Sequence, residues 1–130
     1  MNNLGSIGAL DMAMALTKNM QLTSLIMSHN NILTIGAKAF GDALKHNRTL
    51  AHLILNHNSI DDTGLKELSD SLSSHPSLRE LSLLGNHFST TYIDQFYALT
   101  KNNPMLSKVG FSPQKNRGRM SSPKNWTKKS

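Results

Sequence analysis

A pattern of apolar residues ending in asparagine recurs every 28 residues along this chain of 130 residues. Its clearest copy is the stretch 50–58, which reads Leu-Ala-His-Leu-Ile-Leu-Asn-His-Asn. The four successive copies are Leu22, Leu25, Met27 and Asn30; Leu50, Leu53, Leu55 and Asn58; Leu78, Leu81, Leu83 and Asn86; and, more weakly, Leu106, Val109, Phe111 and Gln114. Such a period indicates a stack of repeats, because each repeat buries its apolar edge only against its neighbours.

Each repeat combines a strand pattern with a helix pattern. In 53–55 and 81–83 the leucines alternate with other residues, which places them on one side of an extended segment. Leu65, Leu68 and Leu72 follow at steps of three and four, which is typical of a helix with one buried face. Parallel strands that alternate with helices are joined by right-handed crossovers. Since a helix is wider than the spacing between strands, the strands are expected to line the concave side.

Residues at fixed positions in the repeat predict how its segments connect. The asparagine after each strand is expected to satisfy backbone groups of adjacent coils with its side-chain amide. Asp61 and Asp62 suit the N-terminus of a helix, where acidic residues are stabilising. Gly8, Gly36 and Gly64 occupy equivalent positions and are expected to allow a close approach between helix and sheet.

The pattern Leu-x-x-Leu-x-Leu-x-x-Asn-x-Ile/Leu-x-x-x-Gly, repeated every 28 residues, resembles the leucine-rich repeat of the ribonuclease-inhibitor type. The resemblance implies an α/β fold: a right-handed leucine-rich-repeat solenoid, or horseshoe, with a parallel sheet on the concave face and helices on the convex face. Members of this family bind other proteins on the concave face and have no catalytic centre of their own. They include inhibitors, sensor domains of intracellular immune receptors, and effectors that bacterial pathogens deliver into host cells. The fold carries over more safely than any one of these roles.

The fourth repeat departs from the pattern. Tyr92 replaces the glycine, and Gln114 replaces the asparagine. These changes are typical of a terminal repeat, which lacks a neighbour on one side. Tyr92 and Phe96 are therefore expected to cover the end of the stack.

Charge divides the chain into two parts. The formal net charge of +6 arises after residue 111, because residues 1–111 contain equal numbers of acidic and basic residues. The segment that follows is basic and has few apolar residues, so it is predicted to be disordered. We therefore divide the chain into a leucine-rich-repeat domain, residues 1–111, whose first repeat lacks its strand, and a basic tail, residues 112–130.

The side chains between the leucines of each strand are the candidate binding residues, because they face the concave side. By register they are Ser24, Ile26, Ser28, His52, Ile54, Asn56, Glu80, Ser82, Leu84 and Lys108. Stacking is expected to bring Ile26 beside Ile54, with Leu84 one column over. A small apolar patch rimmed by polar residues resembles a protein-binding surface in composition. We interpret this face as the binding site for another protein.

Two alternatives remain open at the ends of the chain. The tail carries residues suited to contact with nucleic acid or an anionic membrane, namely Lys115, Arg117, Arg119, Lys124, Trp126, Lys128 and Lys129. The first strand, within 24–28, is expected to have an open edge, which invites self-association by strand pairing.

Neither an enzyme nor a cofactor site is expected. A hydrolase brings a nucleophile, a base and an orienting group together in a pocket, and the sequence contains no Gly-x-Ser-x-Gly, Walker or His-Glu-x-x-His motif. His29 and His57 are equivalent positions whose rings can come within reach, but no cysteine is available and no carboxylate shares their register, so we expect no metal site. The absence of cysteine favours a reducing compartment. We expect a cytoplasmic protein, delivered into a host cell if it is a bacterial effector.

Overall fold

Helices and parallel strands alternate regularly along the chain. The computed structural model describes residues 4–112 and, beyond them, the backbone of 115–116, 119–120 and 124–127. The repeats contain α1 (Gly5–Lys18), β1 (Ser24–Ile26), α2 (Leu33–Leu44), β2 (His52–Ile54), α3 (Asp62–Leu72), β3 (Glu80–Leu83), α4 (Thr90–Thr100) and β4 (Lys108–Phe111). Three further strands are β5 (Lys115–Asn116), β6 (Arg119–Met120) and β7 (Lys124–Thr127). This alternation confirms the predicted α/β solenoid.

The strands β1, β2, β3 and β4 form one parallel sheet in chain order. Each strand pairs with the next so that residues one repeat apart lie side by side, as Leu25, Leu53, Leu81 and Val109 do. These four side chains are buried between the sheet and the helices. The leucine pattern therefore predicted both the register and the buried face correctly.

Beyond residue 112, the tail is described only in three short backbone segments, and its predicted disorder stays a prediction. Its backbone pairs as strands: β5 with β6, and β7 antiparallel with β4. Amino-acid composition does not predict such pairing, because the hydrogen bonds are made by backbone N–H and C=O groups, and every residue except proline carries both. Residues 113–114, 117–118, 121–123 and 128–130 lie outside the described part.

The asparagine after each strand joins adjacent coils, as predicted. Asn58 Oδ1 accepts a hydrogen bond from the backbone N–H of Asn30 at 2.8 Å, and Asn58 Nδ2 donates to the C=O of Met27 at 2.8 Å. Asn86 repeats the arrangement one coil on, with bonds to the N–H of Asn58 and the C=O of Leu55, both at 3.0 Å. These asparagines are buried. Their amides satisfy backbone groups that the turn would otherwise leave unpaired.

Gly36 and Gly64 make room for the preceding helix and for the isoleucine four residues earlier in the chain, rather than for the expected helix-to-sheet approach. A Cβ at Gly36 would lie 3.0 Å from the Cβ of Ala9 in the preceding helix. A Cβ at Gly64 would lie 3.1 Å from the Cβ of Ala37, again in the preceding helix, and 2.6 Å from Ile60 Cγ2. Neighbouring helices pack closely because these positions lack a side chain.

Aromatic side chains close the C-terminal end of the stack. Phe111 meets Phe88, Phe96 and Tyr97 edge-on, with ring centroids 5.7, 5.5 and 5.7 Å away. Phe96 is fully buried, and Tyr92 is half-buried against the core, in agreement with their expected covering role. Burial raises the pKa of the Tyr97 hydroxyl well above its usual value. In the described residues, every helix is too short or too polar to cross a bilayer.

Candidate functional site

The concave face presents its side chains in rows that run across the strands. The first row consists of Ser24, His52, Glu80 and Lys108, and the second row consists of Ile26, Ile54, Ser82 and Gly110. Each row takes one residue from each of the four parallel strands, because the strands pair in register. The predicted stacking of equivalent positions is therefore correct for these residues.

Charged groups link three strands in the first row. His52 Nδ1 lies 3.0 Å from Glu80 Oε1, and Lys108 Nζ lies 3.5 Å from Glu80 Oε2. Both carboxylate oxygens of Glu80 are thus engaged, and a neutral His52 that donates from Nδ1 keeps Nε2 as an acceptor. The exposed ion pair between Lys108 and Glu80 contributes roughly 0.2–1 kcal/mol. The main effect of both contacts here is to hold polar side chains in a fixed order.

The second row changes from apolar to polar across the sheet. Ile26 is 69% exposed, and Ile54 beside it is half-buried. Ser82 comes next and donates from Oγ to Asn56 Oδ1 at 2.7 Å, while Gly110 is buried. The most exposed apolar side chain of this row is therefore Ile26, with the half-buried Ile54 beside it, at the β1 end.

Ser28, Asn56 and Leu84 lie just beyond the strand ends. Asn56 Oδ1 accepts from the backbone N–H of Leu84 at 2.8 Å as well as from Ser82, so its amide oxygen is used within the sheet. Leu84 is half-buried and lies beside Asn56, whereas Ser82 is the residue that stands in the row of Ile54. Leu84 thus lies one row over from the isoleucines, as expected. The binding role of the ten concave residues stays a prediction.

A second polar ladder, which was not predicted from the sequence, lies at the other end of the strands. Its members are Asn19, Asn47, His75 and Asn103, again 28 residues apart. Asn47 Nδ2 donates to the C=O of Leu16 and of Asn19, both at 2.9 Å. His75 Nε2 bonds the C=O of Asn47 at 2.7 Å. The repeated spacing of the three asparagines was the signal that could have revealed this ladder.

The rings of His29 and His57 stack, with centroids 4.5 Å apart and planes 10° from parallel. This confirms that these equivalent positions come within reach. Among the described residues, no cluster of three or more histidine and acidic side chains could hold a metal ion.

The tail residues proposed to bind polyanions are only partly described. Lys115, Arg119, Lys124 and Trp126 lie on the backbone of β5, β6 and β7, and Trp126 pairs with Val109 in register. Arg117, Lys128 and Lys129 lie outside the described residues. Their role in binding stays a prediction.

Comparison with known proteins shows which sequence family the repeats match and which solved structures share the fold. Residues 18–41 and 46–69 match a family described as "Leucine Rich repeat". The fold is similar to the solved structure of the leiomodin-1 actin-binding site 2 (ABS2), with 22% sequence identity and a TM-score of 0.75 over 84% of this chain and 68% of that one. It is also similar to the tropomodulin C-terminal domain of Caenorhabditis elegans, with 12% identity and a TM-score of 0.70 over 82% of this chain and 64% of that one. No curated protein sequence matches significantly.

Proposed function

We propose that this chain, a leucine-rich-repeat protein of the ribonuclease-inhibitor type, is a non-catalytic module that binds a protein partner on its concave sheet face. One observation carries the proposal. The exposed Ile26 and the half-buried Ile54 lie directly beside the linked polar row of His52, Glu80 and Lys108. An apolar centre with a polar rim is the usual anatomy of a protein interface.

The rigidity of this surface supports binding. Its side chains stand on paired strands, and Glu80 connects His52 with Lys108 across three of them. A partner therefore meets groups that are already ordered, and little side-chain entropy is lost when the complex forms. The face is also open and shallow, which suits recognition of another surface better than exclusion of water around a reaction.

We propose that the partner is a protein whose surface has an apolar residue that contacts the isoleucine pair and polar groups that contact the first row. Actin is the first defined probe, because the similar leiomodin-1 structure is that of an actin-binding site. We place this interaction in the cytoplasm, since the chain has no cysteine. If the protein is a bacterial effector, we propose that it binds its partner in the cytoplasm of a host cell.

Charge substitutions on the concave face test the proposal. Ile54→Glu places a charge in the apolar pair. Lys108→Glu reverses the sign of the charge at the end of the polar row. We expect Ile54→Glu to weaken partner binding by roughly tenfold or more, as substitutions at interface centres do. Lys108→Glu should weaken binding less, chiefly by slowing association, because Lys108 lies in the polar rim. Binding is measured by affinity capture with quantitative mass spectrometry and, for actin, by titration with the labelled protein.

Ile35→Glu is the matched control, because Ile35 is also an exposed isoleucine, 53% accessible, but lies on helix α2. Circular dichroism checks that all three variants remain folded. Partners that the wild type and the Ile35 variant retain and the concave variants lose are the expected result. If the concave variants retain every partner of the wild type, the concave-face assignment is wrong.

A further inference from the structure

The outer edge of β1 has no strand beside it in the described part of the chain. The opposite end of the sheet differs, because β7 pairs with the outer edge of β4. On β1, the C=O of Thr23 and the N–H groups of Met27 and His29 bond toward β2. Since the peptide groups of a strand alternate in direction, those of Ser24 and Ile26 point to the outer edge.

Apart from its short length of three residues, this edge lacks the features that usually keep sheet edges apart. Natural edge strands are protected by charged side chains, proline, bulges or a covering segment. Residues 19–37 contain no Asp, Glu, Lys, Arg or Pro. The edge instead exposes Ile26, and Leu25 behind it retains 9% exposure, whereas the equivalent Leu53 has none. Both the backbone and the apolar side chains at this end favour a further strand.

We propose that two copies of this chain associate through the β1 edges, antiparallel and about a twofold axis at Ile26. This register places Ile26 opposite Ile26 of the second copy and Ser24 opposite Ser28 of the second copy. Ser24 and Ile26 direct their peptide groups outward by the alternation of the strand. Ser28 lies in the turn just beyond β1, where the C=O of Met27 and the N–H of His29 bond toward the next coil and leave the groups of Ser28 on the outer side. The C=O of Ser28 also accepts from Asn30 Nδ2 at 3.0 Å, but a carbonyl oxygen can accept two bonds.

The side chains favour a second copy over an unrelated strand. In this register the second row continues across the axis, so that Ile54 and Ile26 of one copy meet Ile26 and Ile54 of the other. A contact about a twofold axis uses the same patch twice, and an uncharged apolar patch complements itself without opposing like charges. The continued sheet would therefore carry one apolar strip of four isoleucines.

The helix layer at the same end is compatible with this contact. Gly36 and Gly64 are the positions that face the preceding helix, and their equivalent in α1 is Gly8. Met12, one turn further along α1, is half-buried, and Leu4 packs over Gly8. Asp11 and Lys18 also stand on this side of α1, because they are the equivalents of Ala39 and His46, which line the groove between α1 and α2. The α1 surface that faces the second copy therefore has small or apolar residues at Gly8 and Met12 and exposed charges beside them.

Single cysteines test the register, because the chain contains none of its own. Directly opposite residues in a hydrogen-bonded antiparallel pair have Cα atoms about 5.5 Å apart, within the range of about 4.4–6.8 Å that a disulfide spans. We expect Ile26→Cys to form a disulfide-linked dimer under mild oxidation. Ile35→Cys is the control, since it is a similarly exposed isoleucine on helix α2. Ser24→Cys is expected to link to Ser28→Cys when the two variants are mixed, and only weakly to itself.

Sedimentation of the unmodified chain tests the association itself. We expect the mass to rise with concentration from 14.3 kDa toward twice that value. Ile26→Lys should weaken the association by roughly tenfold or more. Ser24→Pro should also weaken it, because it removes an edge N–H without touching the bonds to β2.

Two results together would overturn the pairing: a constant monomer mass up to about 1 mM, a concentration at which even weak complexes form, and an Ile26→Cys variant that oxidises no faster than Ile35→Cys. Those results would show that the β1 edge does not pair with a second copy, and the remaining candidate would be a strand of another protein. Lys108→Glu tests partner binding at the far side of the sheet, so failure of either proposal is distinguishable from failure of the other.

Discussion

At the scale of single residues, His75 replaces an asparagine in a buried ladder without breaking it. Asn47 uses its amide in two ways, donating from Nδ2 to backbone C=O groups and accepting at Oδ1 from the N–H of Thr49 at 3.0 Å. The imidazole of His75 does the same: Nε2 lies 2.7 Å from the C=O of Asn47, and Nδ1 accepts from the N–H of Leu78 at 3.1 Å. Only the neutral ring with its proton on Nε2 can make both bonds.

This arrangement predicts a loss of stability in mild acid. Burial lowers the pKa of His75 below its ordinary value of 6.5. The unfolded chain therefore binds a proton at a pH where the folded chain does not, so the stabilising contribution is present above pH 6.5 and is lost as the pH falls below it. We expect His75→Asn to preserve the ladder and to remove the part of the stability loss between pH 7.5 and 5.5 that arises from protonation of His75.

Urea unfolding of the wild type and of His75→Asn at both pH values measures this effect. His46→Asn makes the same chemical change at an exposed histidine outside the ladder and serves as the control. Equal pH dependence in the wild type and His75→Asn would show that the ring is not held neutral.

At the scale of elements, Asp61 caps helix α3 and joins it to α2. Its Oδ1 accepts from the backbone N–H of Thr63 at 3.0 Å and of Gly64 at 3.4 Å. The same oxygen accepts from Thr34 Oγ1 at 2.6 Å, and Thr34 Oγ1 accepts in turn from the N–H of Asp61 at 3.2 Å. The hydrogen bond from Thr34, helped by those from the backbone N–H groups, lowers the pKa of the Asp61 carboxyl.

We expect Asp61→Ala to lower the free energy of unfolding by about 1 kcal/mol, as the loss of a helix N-cap does. Asp61→Asn should cost less, because an amide oxygen can still accept the capping bonds. Asp70→Ala is the control, since Asp70 is exposed and its carboxylate pairs with Lys66 one turn away, at 3.5 Å. Chemical denaturation compares the three variants. An alanine at 61 no more destabilising than one at 70 contradicts the capping role.

At this scale, the features predicted correctly are those that a short stretch of sequence specifies by itself. Asp61 before a helical pattern and leucines in alternation are local signals, and both were read correctly. The turns were harder, because His29 and His57 adopt positive φ angles of 60° and 55° that glycine would usually occupy, as Gly85 does at 69°. The imidazole of His57 fills the place that a Cβ of Gly85 would take. No local pattern marks a histidine for this conformation.

At the scale of the whole molecule, the period of 28 determined the stack and its concave rows but not the links within them. The row of His52, Glu80 and Lys108 follows from register, whereas the bond of Ser82 to Asn56 depends on side-chain torsions that register leaves free. Antiparallel pairing of β7 with β4 lies outside the repeat altogether. Periodicity thus predicts what neighbouring coils share, and the ends of the stack require separate evidence.

The ends also predict how stability is distributed along the molecule. In a stack of repeats each coil is stabilised by its neighbours, and Leu53 has a coil on both sides whereas Leu25 has a described coil on one side only. Leu25 and Leu53 are otherwise equivalent core residues, with 9% and 0% exposure. We expect Leu53→Ala to cost about 3–5 kcal/mol and Leu25→Ala distinctly less. Chemical denaturation at low protein concentration measures both, and equal losses would contradict the end effect.

The same pair of variants responds to concentration if the β1 edges of two copies meet. The partner copy would then supply the missing neighbour of the first coil, so Leu25 would be covered as Leu53 already is. The destabilisation by Leu25→Ala should rise with protein concentration, because binding that favours the folded state adds to its apparent stability. The destabilisation by Leu53→Ala should change much less. If the difference between the destabilisation caused by Leu25→Ala and that caused by Leu53→Ala stays constant with protein concentration, the first coil remains uncovered in solution.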